Sequence, residues 1–495
     1  CLLCRYKVQF KLLQTILLVN IFVREMQHLF CFIVLLSSRP TKCFEGAFWD
    51  ICDLHLNISQ PTDINGGFGD FRQDSSIGLI RSAFQEMKKI YPYPDFIIVN
   101  GDNVYHGNVG FLEPLHNVSN LLYKEFPNSI VIPTLGNHDV LPRNQIDVNS
   151  SSCDIFYKVW SVFFQNASQS EVETFIKGCF YSIKVKSKGG NINIVALNTM
   201  LWYGRNNYVR ALKDPENQFI WLEEKLKIFR KNKEKAFLIG HVPPGILEHS
   251  TFIIKHLHSQ YNEKLLWIMQ DYVDVIDAGF FAHQHTDAFK LVLSSDKKPI
   301  IPIFHSPSVT PFNLRGIGSI NPSIRLYYWN NSSAASYYHQ YHTKIPIVTN
   351  ISKNVDLSWS LEYNSKSLIN GLTAEDLNNL LKDFDQENSK YFDLFFKYHL
   401  SGQDHYNLTC PWISKCRCQF ICSMQDIDIS TAVKCASKCV ERDIKPNIES
   451  DLKLLKIILP VIFVAILIIT LAAIFVYKSR QRKWRPNKLN GDSEE

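Results

Sequence analysis

Short apolar runs, each followed at once by polar residues, recur along the chain and constrain its fold more than any other feature. The runs are Phe48–Cys52, Phe96–Asn100, Ile130–Pro133, Ile192–Leu197, Ala236–Ile239 and Gly279–Ala282. Segments of helical periodicity lie between them, such as the face formed by Leu79, Ile80, Ala83, Phe84, Met87 and Ile90. Alternation of strands with helices predicts a layered α/β domain in which helices cover a sheet.

Five of these runs are followed, within a few residues, by residues that can hold a metal ion. The motifs are Asp53-Leu54-His55, Gly101-Asp102-Asn103, Gly136-Asn137-His138-Asp139, Gly240-His241 and Ala282-His283-Gln284-His285. Carboxylate, imidazole and amide groups suit zinc, iron or manganese, and ligand sites form at the carboxyl ends of strands in open α/β sheets. A single histidine after a strand is usually structural, but five such motifs in this order predict a metal centre.

This order of motifs resembles the D-x-H, G-D, G-N-H-D/E, G-H and G-H-x-H pattern of the calcineurin-like metallophosphoesterases. Within that superfamily the chain is similar to the acid sphingomyelinase-like phosphodiesterases over about residues 47–440. Further similar stretches are Phe48–Leu56, Asn198–Tyr203, Asp214–Leu222, Tyr261–Leu265, Val309–Pro311 and Asn321–Trp329. One departure is Ala282, which stands where the family has glycine and adds only a methyl group near the site.

The resemblance implies an α/β fold with a layered β-sandwich core flanked by helices, and a site for two zinc ions per chain. It assigns one zinc ion to Asp53, His55, Asp102 and His285, and the other to Asp102, Asn137, His241 and His283. Asp102 would bridge the ions, because two neighbouring divalent cations need an anion between them to offset their repulsion.

Two further histidines have implied catalytic roles. His138, next to the Asn137 ligand, would donate a proton to the leaving-group oxygen, and His106 would contact the phosphoryl group. A mildly acidic compartment would populate their imidazolium forms. The implied reaction is hydrolysis of a phosphodiester, with a sphingomyelin-like, phosphocholine or nucleotide substrate, by a hydroxide that the two zinc ions generate.

Two other functions remain open at this point. Gly101-Asp102-x-x-Tyr105 also matches a motif of the purple acid phosphatases, in which the tyrosine ligates iron and the substrate is a phosphomonoester. Those enzymes have glycine where this chain has His55, which favours Tyr105 as a packing or pocket residue. A catalytically silent surface receptor is the third possibility, although every expected ligand is present.

The region after the catalytic motifs, residues 366–445, has the features of a small helical domain, which places the catalytic domain at 45–365. Thr373 and Asp376 form a capping-box pattern at the start of a helical tract. Six cysteines follow: Cys410, Cys416, Cys418, Cys422, Cys435 and Cys439. Their spacing does not match paired C-x-x-C zinc modules, so disulfides are favoured over a metal site.

An uncharged stretch of 21 residues, 457–477, is long enough to cross a bilayer as a helix, and a buried core helix is the alternative. Basic residues from Lys478 onward predict a cytoplasmic tail at 478–495 and a type I membrane protein. At the other end, residues 26–44 resemble a signal peptide and residues 1–25 an untranslated or artefactual extension. A signal anchor at 12–23 is the alternative there.

The glycosylation sequons indicate the compartment of the protein, and the distribution of charge indicates its classes of partner. Eight N-x-S/T sequons precede the apolar stretch. Their number and position favour an extracellular or lysosomal glycoprotein, and a shed or secreted form is compatible with them. The net charge of +6 comes from the two ends, 1–25 and 478–495, at +3 each. Because the remainder is neutral, a nucleic-acid polymer is not an expected partner, whereas a small or lipid phosphodiester and the membrane are. The sequence does not set the oligomeric state.

Overall fold

The computed structural model describes residues 45–59, 67–107, 110–148, 151–165, 167–248, 253–314, 318–330, 333–345, 357–386, 389–402 and 414–483. The predicted extension at 1–25 and signal peptide at 26–44 lie outside the described residues, as do Cys410 and the end of the predicted cytoplasmic tail.

Strands and helices alternate through the first two thirds of the described chain. The strands are β1 (Gly46–Ile51), β2 (Phe96–Val99), β3 (Val131–Pro133), β4 (Tyr181–Lys186), β5 (Asn191–Ala196), β6 (Ala236–Ile239), β7 (Ile276–Phe281), β8 (Ala288–Leu293), β9 (Pro299–His305), β10 (Phe312–Leu314), β11 (Gly318–Ile320), β12 (Ser323–Asn330), β13 (Ser333–Thr343) and β14 (Trp359–Asn364). The helices are α1 (Ile77–Ile90), α2 (Leu112–Glu125), α3 (Ser152–Trp160), α4 (Gln169–Gly178), α5 (Gln218–Asn232), α6 (Ser259–Asp271), α7 (Ala374–Phe384), α8 (Lys390–His399), α9 (Ser414–Gln425) and α10 (Ile429–Lys483).

Two six-stranded sheets form the core, in the orders β14-β13-β12-β1-β2-β3 and β4-β5-β6-β7-β9-β8. The first sheet is parallel through β1, β2 and β3, and the second through β5, β6, β7 and β9. Phe48 of β1 contacts Phe280 of β7 edge to face, with ring centroids 5.3 Å apart, so the sheets pack face to face. The predicted layered β-sandwich is confirmed.

The predicted helical faces are buried as their periodicity requires. In α1, Leu79, Ile80, Ala83, Phe84 and Met87 are all buried, and Ile90 packs partly buried against the same core. The capping box at the start of α7 is also present, because the Thr373 hydroxyl accepts from the Asp376 N–H and the Asp376 carboxylate accepts from the Thr373 N–H.

Disulfides join the C-terminal helices. Cys418–Cys439 and Cys422–Cys435 link α9 to α10, which confirms the disulfide prediction for these four cysteines and excludes a thiolate metal site there. A further disulfide, Cys153–Cys179, links α3 to the end of α4 and was not predicted. Within α10, Leu455–Arg480 is long and apolar enough to cross a membrane, and it is exposed, which excludes the alternative of a buried core helix.

Candidate metal centre

The five motifs meet between the carboxyl ends of the strands that precede them. The loops after β1, β2 and β3 carry Asp53, His55, Asp102 and Asn137, and the loops after β6 and β7 carry His241, His283 and His285. Two groups each have potential ligand atoms within 4.8 Å of one another: Asp53 with His55 and His285, and Asp102 with His241 and His283. Each group holds three of the four residues of one ligand set that the resemblance implied, and a further group of this kind, His55 with His106 and His138, adjoins the first.

Asp102 lies between the two groups. Its Oδ2 atom is 3.6 Å from His55 Nε2 and 3.1 Å from His241 Nε2, while Oδ1 accepts a hydrogen bond of 2.7 Å from the His138 backbone N–H. One oxygen is therefore anchored by the protein, and the other faces histidines of both groups. This is the placement that a bridging carboxylate requires.

Backbone carbonyls fix the orientation of two histidines. His55 Nδ1 donates to the Val104 carbonyl at 2.9 Å, and His241 Nδ1 donates to the Asn100 carbonyl at 2.8 Å. Both Nε2 atoms therefore point toward the acidic residues and, in the neutral imidazole, carry the lone pair that a metal ion binds, as metal-binding histidines usually do.

The amide of Asn137 is oriented in a similar way. Its Nδ2 donates to Asn144 Oδ1 at 3.0 Å, and its Oδ1 lies 3.1 Å from His241 Nε2. The amide oxygen, which is the atom that can bind a cation, therefore faces the second group.

Five of the proposed ligands have left-handed backbone conformations. The φ angles are 48° at Asp53, 42° at His55, 53° at Asp102, 74° at His283 and 65° at His285. Such conformations are uncommon for residues other than glycine and cost about 1–2 kcal/mol each, although Asp and His tolerate them better than most residues. Their concentration in one place is typical of a functional site that the surrounding fold holds under strain.

The glycines of two motifs leave room for the ligands. A Cβ atom at Gly136 would lie 2.1 Å from the Asp102 nitrogen, and one at Gly101 would lie 2.7 Å from His241 Nδ1. Neither position can carry a side chain without displacing a ligand. Ala282, by contrast, is fully buried with its methyl group accommodated.

The electrostatics of the site favour cations. Although burial lowers the pKa of His241, the Asp102 carboxylate outweighs that effect and raises it to about 9. Burial is likewise outweighed at His55, where Asp53 and Asp102 raise the pKa to about 9. Asp53 Oδ1 and His55 Nε2 are buried and have no hydrogen-bond partner among the described residues. Burial raises the pKa of Asp53 and Asp102, but neighbouring histidines outweigh that effect and lower both. Orphaned ligand atoms beside such ionised carboxylates fit a pair of divalent metal ions.

His106 and His138 stand beside the first group. The His106 ring stacks on His55 with centroids 4.0 Å apart, and its centroid is 4.4 Å from that of His138. Asp74 was not identified from sequence, yet it accepts from His106 Nδ1 at 2.6 Å and from the His106 backbone N–H at 2.6 Å. The Asp74 carboxylate therefore sets the orientation of this imidazole.

The protonation states differ from the sequence-based expectation. Burial lowers the pKa of His138 to about 2, and burial together with the charge of His55 lowers the pKa of His106. A mildly acidic compartment alone therefore does not populate the imidazolium form of His138, and it populates that of His106 less than that of a free imidazole. The anionic phosphoryl group of a bound substrate is the charge that can raise both pKa values.

Asp139 is a second residue whose role sequence reasoning missed, although it stands inside a quoted motif. Its carboxylate accepts backbone N–H bonds from Asn103 at 2.8 Å, Val104 at 3.2 Å and Gly136 at 3.0 Å. Asp139 thus joins the loops after β2 and β3. Tyr105, the residue of the iron-binding alternative, packs partly buried against the core.

The fold and the two ligand groups define a metallophosphoesterase. A family model described as Calcineurin-like phosphoesterase matches residues 51–287. A second model, described as Acid sphingomyelin phosphodiesterase C-terminal region, matches residues 298–442. The first family implies a centre of two metal ions.

Similar proteins narrow the class. The cyclic GMP-AMP phosphodiesterase SMPDL3A of Bos taurus is 31% identical over 428 residues, which is 81% of this chain and 92% of that protein. The acid sphingomyelinase-like phosphodiesterase 3b of Homo sapiens is 30% identical, covering 79% of this chain and 90% of that one. The sphingomyelinase phosphodiesterase C of Dictyostelium discoideum is 33% identical, covering 68% and 81% respectively. The chain belongs to the acid sphingomyelinase-like phosphodiesterases, a family of phosphoric diester hydrolases.

Proposed function

We propose that the chain hydrolyses small-molecule or lipid phosphodiesters with two zinc ions. The observation that carries the proposal is the position of Asp102, whose free oxygen faces His55 of one ligand group and His241 of the other. Asp53, His55, Asp102 and His285 would hold one ion, and Asp102, Asn137, His241 and His283 the other. When bound, two zinc ions neutralise phosphoryl charge and lower the pKa of water, which supplies a nucleophile near neutral pH.

The remaining residues act on the substrate. His138 donates a proton to the leaving oxygen, and Asp74 holds His106 against the phosphoryl group. A cleft of about 500 Å³ adjoins His106 and gives room for a substituent of the phosphodiester. Its lining comprises Asn57, Phe71, Arg72, Gln73, Asp74, His106 and Asn313. The names of relatives suggest two substrate classes, cyclic dinucleotides and sphingomyelin-type phosphodiesters.

The test combines metal analysis with two chromogenic esters. We expect about two zinc ions per chain and hydrolysis of bis-p-nitrophenyl phosphate in preference to p-nitrophenyl phosphate. Preference for the monoester together with bound iron and a visible tyrosinate absorption would replace the proposal with the purple-acid-phosphatase alternative. Metal without hydrolysis of either ester, or of nucleotide and phosphocholine diesters, would favour the silent receptor.

We further propose a type I membrane protein whose catalytic domain, residues 45–365, is extracellular or lysosomal. The exposed apolar segment, the basic residues after it and the disulfides formed among the described residues support this orientation. The proposed C-terminal domain is 366–445, because β12 to β14 complete the first sheet by residue 364. The proposed membrane span is 457–477, and the proposed cytoplasmic tail is 478–495. A tag at residue 490 should resist protease added to intact cells. Digestion of the tag would show that the chain has the opposite orientation.

A further inference from the structure

Both proposed zinc ions take ligands from both sheets, and the first of them depends on the spacing between His285 and the loop after β1. Asp53 and His55 follow β1 of the first sheet, whereas His285 follows β7 of the second, and His285 Nε2 lies 3.5 Å from Asp53 Oδ1. A metal ion tolerates only a few tenths of an ångström in the distances to its ligands. Apolar contacts between sheets do not have directional geometry of that kind. Polar contacts between the two sheets, such as the hydrogen bond from the His283 N–H to Asp53 Oδ2, can set this spacing.

Asp287 supplies such a contact two residues after His285. The side chain is buried, and its Oδ1 forms an ion pair of 2.6 Å with Arg325 Nη2. Its Oδ2 accepts a hydrogen bond from the Tyr363 hydroxyl of β14. Arg325 and Tyr363 both belong to the first sheet, so Asp287 attaches the loop that carries His285 to the opposite sheet.

Arg325 is also held by residues other than Asp287, on its own sheet and on the second sheet. It lies on β12 opposite Asp50 of β1, the strand that leads directly to Asp53. Its Nη1 donates to the His305 carbonyl at 3.2 Å, its Nε donates to Gln340 Oε1 at 3.1 Å, and its guanidinium lies over the Tyr338 ring at 4.1 Å. A planar guanidinium fixed by four neighbours is a rigid spacer and not a mobile counter-ion.

The C-terminal helices reach the same loop. His399, the last residue of α8, donates from Nδ1 to the Asp287 carbonyl at 2.6 Å and accepts from the Asp287 N–H at 3.3 Å through its own carbonyl. The main chain of Asp287 is thus fixed from α8 while its side chain is fixed from β12 and β14. A buried ion pair gains little stability over apolar residues of the same volume, but it adds directional geometry.

We propose that Asp287 and Arg325 are positioning residues that set the distance between His285 and the Asp53–His55 loop, and so determine the affinity of one of the two metal ions. The inference rests on the two-metal function proposed above. It predicts an unequal effect: because Asp287 is two residues from His285 and four from His283, the ion bound by Asp53, His55 and His285 depends on the pair much more strongly than the ion bound by His241 and His283.

The test is a zinc titration of the full chain in detergent after removal of metal by a chelator. In Asp287→Asn we expect one site to lose about 10–100-fold in affinity while the other changes less than threefold. Because this variant leaves Arg325 buried without its partner, the double variant Asp287→Asn/Arg325→Met repeats the measurement without the unpaired charge. Asp95→Asn is the matched control, since Asp95 accepts from Trp329 at 2.8 Å just before β2, at the opposite end of that strand from the site.

Each outcome of the zinc titration either supports or overturns the proposed role of Asp287 and Arg325. Selective weakening of one site, with a metal-free melting temperature close to that of Asp95→Asn, supports the assignment. Unchanged zinc affinity at both sites, equal weakening of both, or failure of both variants to fold overturns it, because the pair then has no role or only a general structural one. The wild-type titration separates the two proposals: a wild-type chain that binds fewer than two zinc ions refutes the proposed function itself.

Discussion

The two sheets contribute different chemistry to the site. The loops of the first sheet supply both proposed carboxylate ligands, the imidazole of His55, the amide of Asn137 and the two histidines proposed to act on the substrate. The loops of the second sheet supply three imidazole ligands and no carboxylate ligand. Charge and proton transfer therefore reside on one side, and neutral ligands on the other. Substitutions on the first side should alter the reaction itself, and those on the second should alter mainly the affinity for metal.

The loops also differ in how they are held. In the first sheet, Asp53 N–H donates to the Gly101 carbonyl at 3.1 Å and His55 N–H to the Asp102 carbonyl at 2.9 Å, so neighbouring loops support each other. Across the sheets, His283 N–H donates to Asp53 Oδ2 at 3.1 Å. The contact between the two halves includes a ligand on each side, which makes the metal ions themselves part of the junction.

The largest effect is expected for Asp102→Asn, which keeps the size of the side chain and removes the charge between the two ions. Metal content should fall toward one ion or none, and turnover should fall by well over the ~10–100-fold that loss of an outer hydrogen-bond partner costs. Elemental analysis and diester hydrolysis measure both quantities, with Asp95→Asn as a control. Two bound ions with full activity would contradict the bridging role.

His138→Ala tests proton transfer on the first side. The variant should keep both metal ions and lose about 10²–10⁴-fold in kcat on nucleotide or phosphocholine diesters. The loss should be much smaller on p-nitrophenyl esters, because p-nitrophenolate leaves without a proton. If kcat falls equally on both substrate classes while both metal ions are retained, His138 positions the phosphoryl group and the proton comes from another group.

His283→Ala tests the second side. We expect at least about 100-fold weaker binding of one metal ion, with most of the turnover restored at high zinc concentration. Asp102→Asn should show no such rescue, because its loss removes charge as well as a ligand. Equal responses of the two variants to added zinc would remove the distinction between the sheets.

Asp74→Asn should have a moderate effect. The amide still accepts a hydrogen bond, but the charge that orients His106 is lost, and we expect about a tenfold fall in kcat, less than removal of a proton-transferring histidine costs. Asp95→Asn is again the control, because that carboxylate accepts a hydrogen bond from Trp329 at the end of β2 remote from the site. Wild-type kcat in Asp74→Asn would mean that His106 needs no orienting partner.

The smallest effect is expected for Ala282→Gly, which restores the residue typical of the family. Activity should stay within twofold, and the free energy of unfolding should fall by about 0.5–1 kcal/mol through the added freedom of the backbone. Chemical denaturation measures the free energy of unfolding, and a hydrolysis assay measures the activity. Gly136→Ala provides the contrast, since its Cβ would overlap the Asp102 backbone and activity should collapse.

Local patterns predicted the parts of the molecule that depend on neighbours in sequence. The strands that lead to the five motifs, the buried face of α1 and the capping box of α7 all follow from periodicity and from side chains within a few residues of one another. Cysteine clustering similarly predicted the disulfides between α9 and α10, although their pairing appears only in the structure. Asp74 gave no local signal, because it stands 32 residues before His106.

The sequence by itself determined which side chains could bind metal and in what order along the chain, because that information resides in residue type and in the ends of strands. Only the tertiary structure decided that Asp102 faces both ligand groups, that Asp139 joins two loops, and that Asp287 reaches Arg325 across the sheets. These relations depend on the packing of one sheet on the other. Sheet packing arises from apolar contacts between residues far apart in the chain, which no local pattern encodes.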